Sequence, residues 1–161
     1  MFLSERLFVT PVSIAYFRDP FQNIEWRVTP SVGLGYELFD RDGFEWEVSA
    51  GAGWRSTRFE AVPAGESSFR RTVAATFGTR LDYDLVEDVT VGLDYQNWIS
   101  FEDLADYSHQ LRLALSVEVW EDLNLDVSGV WNRTSELVAP PGQDAPASDD
   151  YRIMVGFGYS F

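Results

Sequence analysis

Apolar and polar residues alternate along most of this chain, in segments separated by turn-forming residues. In residues 44–55, for example, the bulky Phe44 and Trp46 alternate with Glu45 and Glu47. A period of two is typical of a β-strand, whose successive side chains point to opposite faces. The pattern predicts eight strands, which lie around residues 6–17, 24–38, 44–55, 69–83, 89–100, 107–119, 123–132 and 151–161.

Short and long connections alternate between these segments. The short ones are 40–43, 86–88 and 120–122, and the longer polar ones are 18–23, 60–68, 102–106 and 137–148. Short links indicate antiparallel neighbours, because parallel strands need long crossovers. We therefore predict an all-β fold, an up-and-down antiparallel transmembrane β-barrel with about eight strands in this chain.

Alternation alone does not say which face points inward. A soluble barrel of the lipocalin type has apolar residues inside, whereas a membrane barrel turns them towards lipid and keeps a polar lumen. The polar face here is rich in glycine, as at Gly33, Gly35, Gly51 and Gly53. A narrow lumen gives a steric reason for small residues, and a solvated face gives none. The pattern favours the membrane barrel, with a soluble ligand-binding barrel as the alternative.

The polar face also carries charges of both signs. Inside a low-dielectric barrel such groups must pair, and the arginine fork suits paired carboxylates. Eight strands would leave a lumen plugged by these side chains, whereas a barrel with further strands would have a narrow pore with a modest ion preference. The expected lumen charge network consists of Glu25, Arg27, Glu37, Glu45, Glu47, Arg55, Arg70, Arg80, Asp82, Asp94, Arg112, Glu118, Asp126 and Arg152.

Aromatic residues lie towards the strand ends on the bulky face. Tryptophan and tyrosine favour a membrane interface because their rings are apolar and carry one polar group. Strict alternation in the second segment places Ile24, Trp26 and Leu38 together on this face. The expected aromatic girdle consists of Trp26, Trp46, Tyr83, Tyr107, Trp131, Tyr151 and Tyr159.

The composition excludes several classes of function. Acidic residues outnumber basic ones 26 to 12 in the 161 residues, and the net charge of −14 would repel nucleic acid. The chain has no cysteine, so a disulfide, a thiolate metal site and a cysteine nucleophile are excluded. No apolar run is long enough for a transmembrane helix, and the first residues do not form a signal peptide.

Ser108 and His109 are the residues that most suggest catalysis, since His109 is the single histidine. Neighbours on a strand point to opposite faces, so these two cannot be partners in a catalytic triad. We expect no enzymatic activity, no cofactor and no metal site, and an outer-membrane hydrolase is the weaker alternative.

The final strand alternates aromatic residues and ends in "GYSF". It resembles the C-terminal recognition strand of bacterial outer-membrane β-barrels. This resemblance implies that Tyr159 and Phe161 form an assembly signal, which the barrel assembly machinery would bind.

The stretches "FLSERLFV", "DPFQNIEWRVTPSVGLGYELFD", "EVSAGAGWR" and "PPGQ…DDYRIMVGFGYSF" extend the resemblance over nearly the whole chain. Together they are similar to the salt-induced outer membrane protein family, a domain of unknown function. The resemblance implies the outer membrane of Gram-negative bacteria, contact with its lipid, and a structural, envelope-stress or small-solute passage role. Members of that family carry a signal peptide and further strands before "FLSERL". Residues 1–161 are therefore expected to be one barrel domain, either whole or the C-terminal part of a longer barrel.

Overall fold

The computed structural model describes residues 6–120, 123–135, 137–142 and 144–159. Within them, no helix is long and apolar enough to cross a membrane. The eight predicted strands are confirmed, most of them longer than the alternation indicated, and one 3-10 turn, Pro20–Gln22, follows the first strand. The strands are β1 (Leu7–Asp19), β2 (Ile24–Arg41), β3 (Phe44–Phe59), β4 (Phe69–Val86), β5 (Val89–Ser100), β6 (Tyr107–Trp120), β7 (Leu123–Thr134) and β8 (Asp149–Tyr159).

All eight strands belong to one sheet in the order in which they occur along the chain, and each pair of neighbours is antiparallel. The predicted up-and-down topology is therefore confirmed. Two-residue links join β2 to β3, β4 to β5 and β6 to β7 at one end, which we call the short-turn end. Gly43 gives the first of these turns its positive φ of 73°. The other connections lie at the opposite, long-loop end.

Contacts between distant strands show that the sheet is strongly curled. Arg55 on β3 donates a hydrogen bond from Nη2 to Oγ of Ser108 on β6. In a flat sheet three strand spacings of about 4.8 Å each would separate these two strands. We call the face that carries Arg55 the inner face and the opposite face the outer face.

The first and last strands approach each other at the long-loop end. Nη2 of Arg152 lies 3.7 Å from Oδ2 of Asp19, and Nδ2 of Asn23 donates to the carbonyl oxygen of Val138 over 3.0 Å. Among the described residues, no backbone pairing joins β1 to β8. The curled sheet is therefore not closed into the predicted barrel by a continuous hydrogen-bond ladder.

A bulge near the start of β2 separates two residues that strict alternation placed together. The register shifts between Ile24 and Trp26, so that Ile24 stands opposite Phe59 and Trp26 opposite Arg58. Ile24 is fully buried on the inner face, whereas Trp26 lies on the outer face. An extra residue in one strand reverses the side-chain alternation from that point on.

A second bulge lies near the short-turn end of β2, between Glu37 and Phe39. It places Phe39 opposite Trp46, and the two rings stack with centroids 5.8 Å apart. Strict alternation placed Leu38 in this outer position. The sequence pattern identified the strand correctly but could not locate the extra residue.

Candidate functional site

Small residues on the inner face let the backbones of neighbouring strands approach each other closely. Gly51 on β3 faces Gly33 on β2 and Thr76 on β4. A Cβ added to Gly51 would lie 2.9 Å from Oγ1 of Thr76 and even closer to a backbone oxygen of β2. Such contacts are nearer than real side chains tolerate, so position 51 admits only glycine.

Five charged residues form a continuous row across the middle of the inner face. Each stands directly opposite the next on consecutive strands, from β2 to β6. The first two are like charges, which destabilise a sheet when they lie opposite each other, and every later pair joins opposite charges. This charge row consists of Glu37, Glu47, Arg80, Asp94 and Arg112.

Other carboxylates concentrate between the charge row and the short-turn end. Glu45 stands opposite Asp82, whose Oδ2 lies 2.9 Å from Nε of Arg80. Glu118 and Asp126 lie on the same face near the turn between β6 and β7. The short-turn half of the inner face is therefore predominantly acidic.

The inner face near the long-loop end is basic instead. Arg27 and Arg55 are each only 7% exposed. Nε of Arg27 donates to Oγ1 of Thr57 over 3.2 Å, and the guanidinium carbon of Arg55 lies 5.0 Å from the ring centroid of Trp98. Arg70 places its guanidinium carbon 6.0 Å from the Phe59 ring. We call Arg27, Arg55 and Arg70 the arginine layer.

A cavity of about 360 Å³ opens on the inner face between the arginine layer and the acidic half. Its wall includes Phe8 and Trp98, together with Glu47, Arg80 and Asp94 of the charge row. Trp98 contributes to both regions: the guanidinium of Arg55 packs on its ring, and the same side chain lines the cavity. The arrangement can hold water or a small polar solute next to charges of both signs.

Two members of the expected lumen network lie away from this arrangement. Oε2 of Glu25 is 2.8 Å from Nε of Arg58, which stands on the outer face opposite Trp26. Arg152 lies on the inner face but on the last strand, with Nη2 2.6 Å from Oδ2 of Asp150. The other charged residues of the expected network lie on the inner face. They form the charge row, the acidic group near the short-turn end and the arginine layer near the long-loop end.

The expected aromatic girdle occupies the outer face as two separate rows. One row lies at the short-turn end, where the Phe39 side chain extends it beside Trp46. The other lies at the long-loop end. Phe161, the second member of the expected assembly signal, is outside the described residues. The short-turn row contains Trp46, Tyr83 and Tyr159, and the long-loop row contains Trp26, Tyr107, Trp131 and Tyr151.

Sequence reasoning missed a polar cluster within the long-loop row. Nδ1 of His109 lies 2.6 Å from the hydroxyl of Tyr95 and 2.8 Å from Nδ2 of Asn97. The rings of Tyr95 and Trp131 stack on the imidazole, with centroids 5.9 and 6.4 Å away. Asn97 interrupts the alternation of β5, which was the one available signal. Ser108 points to the inner face, away from His109.

In the part of the chain that the structure describes, no three carboxylate or imidazole groups are placed to hold a metal ion. Neither a curated protein nor a solved structure matches the chain. One family model matches residues 1–161 in full. The chain therefore belongs to the family described as protein of unknown function, DUF481.

Proposed function

We propose that this protein is an outer-membrane β-barrel whose outer face contacts lipid and whose filled polar interior gives it a structural role in the envelope. The observation that carries the proposal is the exposure of large apolar side chains along the outer face. Leu34 and Phe77 are each 50% exposed in the middle of their strands, and Trp54, nearer the long-loop end of β3, is 57% exposed. Leaving such surface in water costs roughly 25 cal/mol per Å², and lipid removes that cost.

The inner face supports the same proposal against a soluble ligand-binding barrel. A soluble barrel needs an apolar interior to fold, yet the buried apolar side chains among the described residues are Ile24, Phe59 and Ala74. Glycine, threonine and charged groups make up much of the rest of the inner face, and the aromatic Phe8 and Trp98 lie beside the cavity. These charges are tolerable in a lumen because they pair with each other and with water.

The two aromatic rows are separated by a distance that suits a bilayer. Tyr151 and Tyr159 belong to opposite rows of the same strand, β8. Eight residues span roughly 26 Å along a strand, or about 20 Å across the membrane at a tilt of about 40°. The apolar band of outer-membrane barrels is about 25 Å tall, flanked by such rows.

A second role, small-solute passage, rests on the cavity beside the charge row. The cavity of about 360 Å³ is large enough for water and small ions. The arginine layer fills the interior between this cavity and the long-loop end, since Arg55 reaches from β3 to β6. We therefore rank passage below the structural role.

Vesicle flotation tests the membrane proposal. The urea-unfolded chain is diluted into vesicles of short-chain phosphatidylcholine and, separately, into buffer without detergent. We expect flotation with the vesicles, strand-rich circular dichroism and a gel mobility that changes on heating. In buffer alone we expect aggregation. A monodisperse, folded protein in buffer that ignores the vesicles would contradict the proposal and favour the soluble barrel.

A further inference from the structure

We propose that the outer face at the long-loop end carries a binding site for a lipid phosphate group, formed by His109 on β6 and Arg133 on β7. The inference rests on the proposed membrane location, which brings this face into contact with lipid headgroups. It goes beyond that proposal because it names the chemistry of the lipid and the two residues that recognise it.

His109 and Arg133 stand directly opposite each other on neighbouring strands of the outer face. Opposite side chains start from Cβ atoms about 5 Å apart, so one acceptor group can contact both. The rings of Tyr107 and Trp131 contact the imidazole, with centroids 5.0 and 6.4 Å away. Such rings lie at the level of the headgroups in a membrane. The pair therefore offers N–H donors at the depth where lipid phosphates lie.

A hydrogen bond within the polar cluster fixes which nitrogen of His109 carries the proton. Nδ2 of Asn97 donates to the carbonyl oxygen of Ser108 over 3.2 Å, and this contact orients the amide. The same Nδ2 lies 2.8 Å from Nδ1 of His109, so Nδ1 accepts and the proton is on Nε2. Nδ1 faces Asn97 on β5, and Nε2 is on the other side of the ring. Its N–H group thus points away from β5, on the side of β7 and Arg133.

Arg133 is oriented by its neighbours and still has donors to offer. Its Nη1 lies 3.4 and 3.1 Å from Oδ1 and Oδ2 of Asp149, and the hydroxyl of Tyr107 is a further hydrogen-bond partner. A guanidinium has five N–H donors in one plane, so these contacts leave donors for another acceptor. Its fork fits the oxygens of a phosphate group. The side chain is 41% exposed, so a headgroup can reach it.

The carboxylate of Asp149 does not exclude an anion from this site. Its Oδ1 accepts from Nε1 of Trp131 over 2.9 Å, and its Oδ2 accepts from the hydroxyl of Ser148 over 3.0 Å. Both oxygens therefore have donors besides Arg133. The carboxylate positions the guanidinium, and a phosphate that approaches from the lipid meets the donors of Arg133 and His109.

The net charge of −14 repels an anionic headgroup from most of the surface, so binding needs a local group of donors. Arg58 is another arginine of the outer face near the long-loop end, but it stands between Trp26 and Phe69 on the flanking strands. It also pairs with Glu25. Arg133 differs from it in having a second N–H donor directly opposite, on His109.

The orientation of an outer-membrane barrel identifies the lipid. Long loops lie on the extracellular side in this class of protein. The outer leaflet there consists of glycolipid, whose membrane anchor, lipid A, is an acylated glucosamine disaccharide with phosphate groups. We therefore commit to a phosphate of lipid A as the occupant. Free phosphate ions would meet the same donors, but they lack acyl chains to hold them beside the outer face.

Native mass spectrometry of the refolded chain in detergent micelles tests the site. The protein is titrated with lipid A and, separately, with lipid A from which the phosphates have been removed. We expect the phosphorylated form to bind roughly tenfold more tightly, as one charge-assisted hydrogen bond would provide. An excess of inorganic phosphate should not displace it. Equal binding of the two forms would overturn the proposal, and displacement by inorganic phosphate would show a site for the free ion instead.

Two variants locate the site. Arg133→Gln removes the guanidinium, and His109→Phe removes the N–H donor but keeps a ring between Tyr95 and Trp131. Each should abolish most of the preference for the phosphorylated lipid, and the second keeps the test valid should the first fold poorly. Arg58→Gln is the matched control and should leave the preference unchanged. Equal losses in Arg58→Gln and Arg133→Gln would show general attraction by surface charge and refute the site.

Flotation of the same samples separates failure of the site from failure of the membrane proposal. A wild-type chain that floats with phosphatidylcholine vesicles but does not distinguish the two forms of lipid A refutes the site alone. A wild-type chain that stays folded and monodisperse in buffer without joining the vesicles refutes the membrane location, and the site with it.

Discussion

Arg55 on β3 crosses the interior to donate to Ser108 on β6, and on the way its guanidinium packs on the ring of Trp98. The contact joins two strands that are not neighbours in the sheet, so it reports the curl of the sheet directly. It also fills the interior near the long-loop end. The proposed structural role depends on this filling.

Replacing Arg55 by alanine is expected to open a conducting path. The wild-type chain should give little or no conductance in planar bilayers, because a lumen of eight strands is filled by side chains. Arg55→Ala removes the side chain that crosses the interior. The space it leaves would connect the cavity with the long-loop end. We expect single-channel events for the variant under conditions where the wild type shows none.

Arg58→Ala is the matched control for this measurement. It removes the same charge from the same strand, but Arg58 lies on the outer face and pairs with Glu25. Its conductance should equal that of the wild type. Equal conductance in Arg55→Ala and Arg58→Ala would refute the filled lumen as the barrier.

A substitution at Leu113 tests whether the outer face contacts lipid or water. It lies in the middle of β6, 49% exposed, with Leu93 and Gly129 opposite it on the flanking strands. In lipid, Leu113→Arg should lower the free energy of unfolding from vesicles by about 2–4 kcal/mol, as arginine does at a bilayer midplane. On a soluble protein the same exposed substitution would change stability by about 0.5 kcal/mol or less.

Ala114→Arg is its control, one residue further along the same strand. Ala114 faces inward opposite Gly92, and Asp82 stands on the other side of Gly92 in the same row. A new arginine there has a nearby anion and lumen water, so its cost should be clearly below that of Leu113→Arg. Urea titrations of both variants in vesicles, followed by tryptophan fluorescence, give the comparison. Equal costs at the two positions would count against a lipid-facing outer surface.

The sequence predicted the strands and their order because period-two alternation and turn residues are local signals. It failed at Ile24 and Phe39, where a bulge inserts a residue that alternation cannot register. Bulges are set by pairing with the neighbouring strand, Phe59 and Trp46 standing opposite in these cases. This information is not contained in the strand itself.

The site was predictable in composition but not in arrangement. Alternation places Glu47, Arg80 and Asp94 on the polar face, yet their alignment into one row follows from the registers of two strand pairs. The cluster around His109 was missed for a related reason. Its partners Tyr95 and Asn97 lie on β5, and only the pairing of β5 with β6 brings them together.

Arg80 is expected to hold the acidic half of the inner face together through electrostatics. It stands opposite Glu47 and Asp94 and contacts Asp82. Arg80→Gln should lower the free energy of unfolding by no more than about 1 kcal/mol, since both members of its ion pair are substantially exposed. The loss should shrink in 1 M salt, where the screening length is about 3 Å.

Arg41→Gln is the control for salt dependence. Arg41 lies at the end of β2 beside the Phe39 ring, away from the charge row. Its stability change should be small and should respond little to salt. A loss in Arg80→Gln that persists undiminished in 1 M salt would indicate a packing role for Arg80 rather than an electrostatic one.

Phe161 is expected to matter for assembly in cells and not for refolding of the purified chain. If the C-terminal strand is a recognition signal, removing Phe161 should lower the amount of heat-modifiable protein in the outer membrane of a Gram-negative host several-fold. Refolding of the purified variant into vesicles should proceed as for the wild type, because assembly machinery is absent there. Phe21→Ala is the matched control, since Phe21 is 94% exposed at the long-loop end and its loss should change neither measurement. Normal insertion of the chain lacking Phe161 in cells, or equal losses in both assays, would rule out the signal.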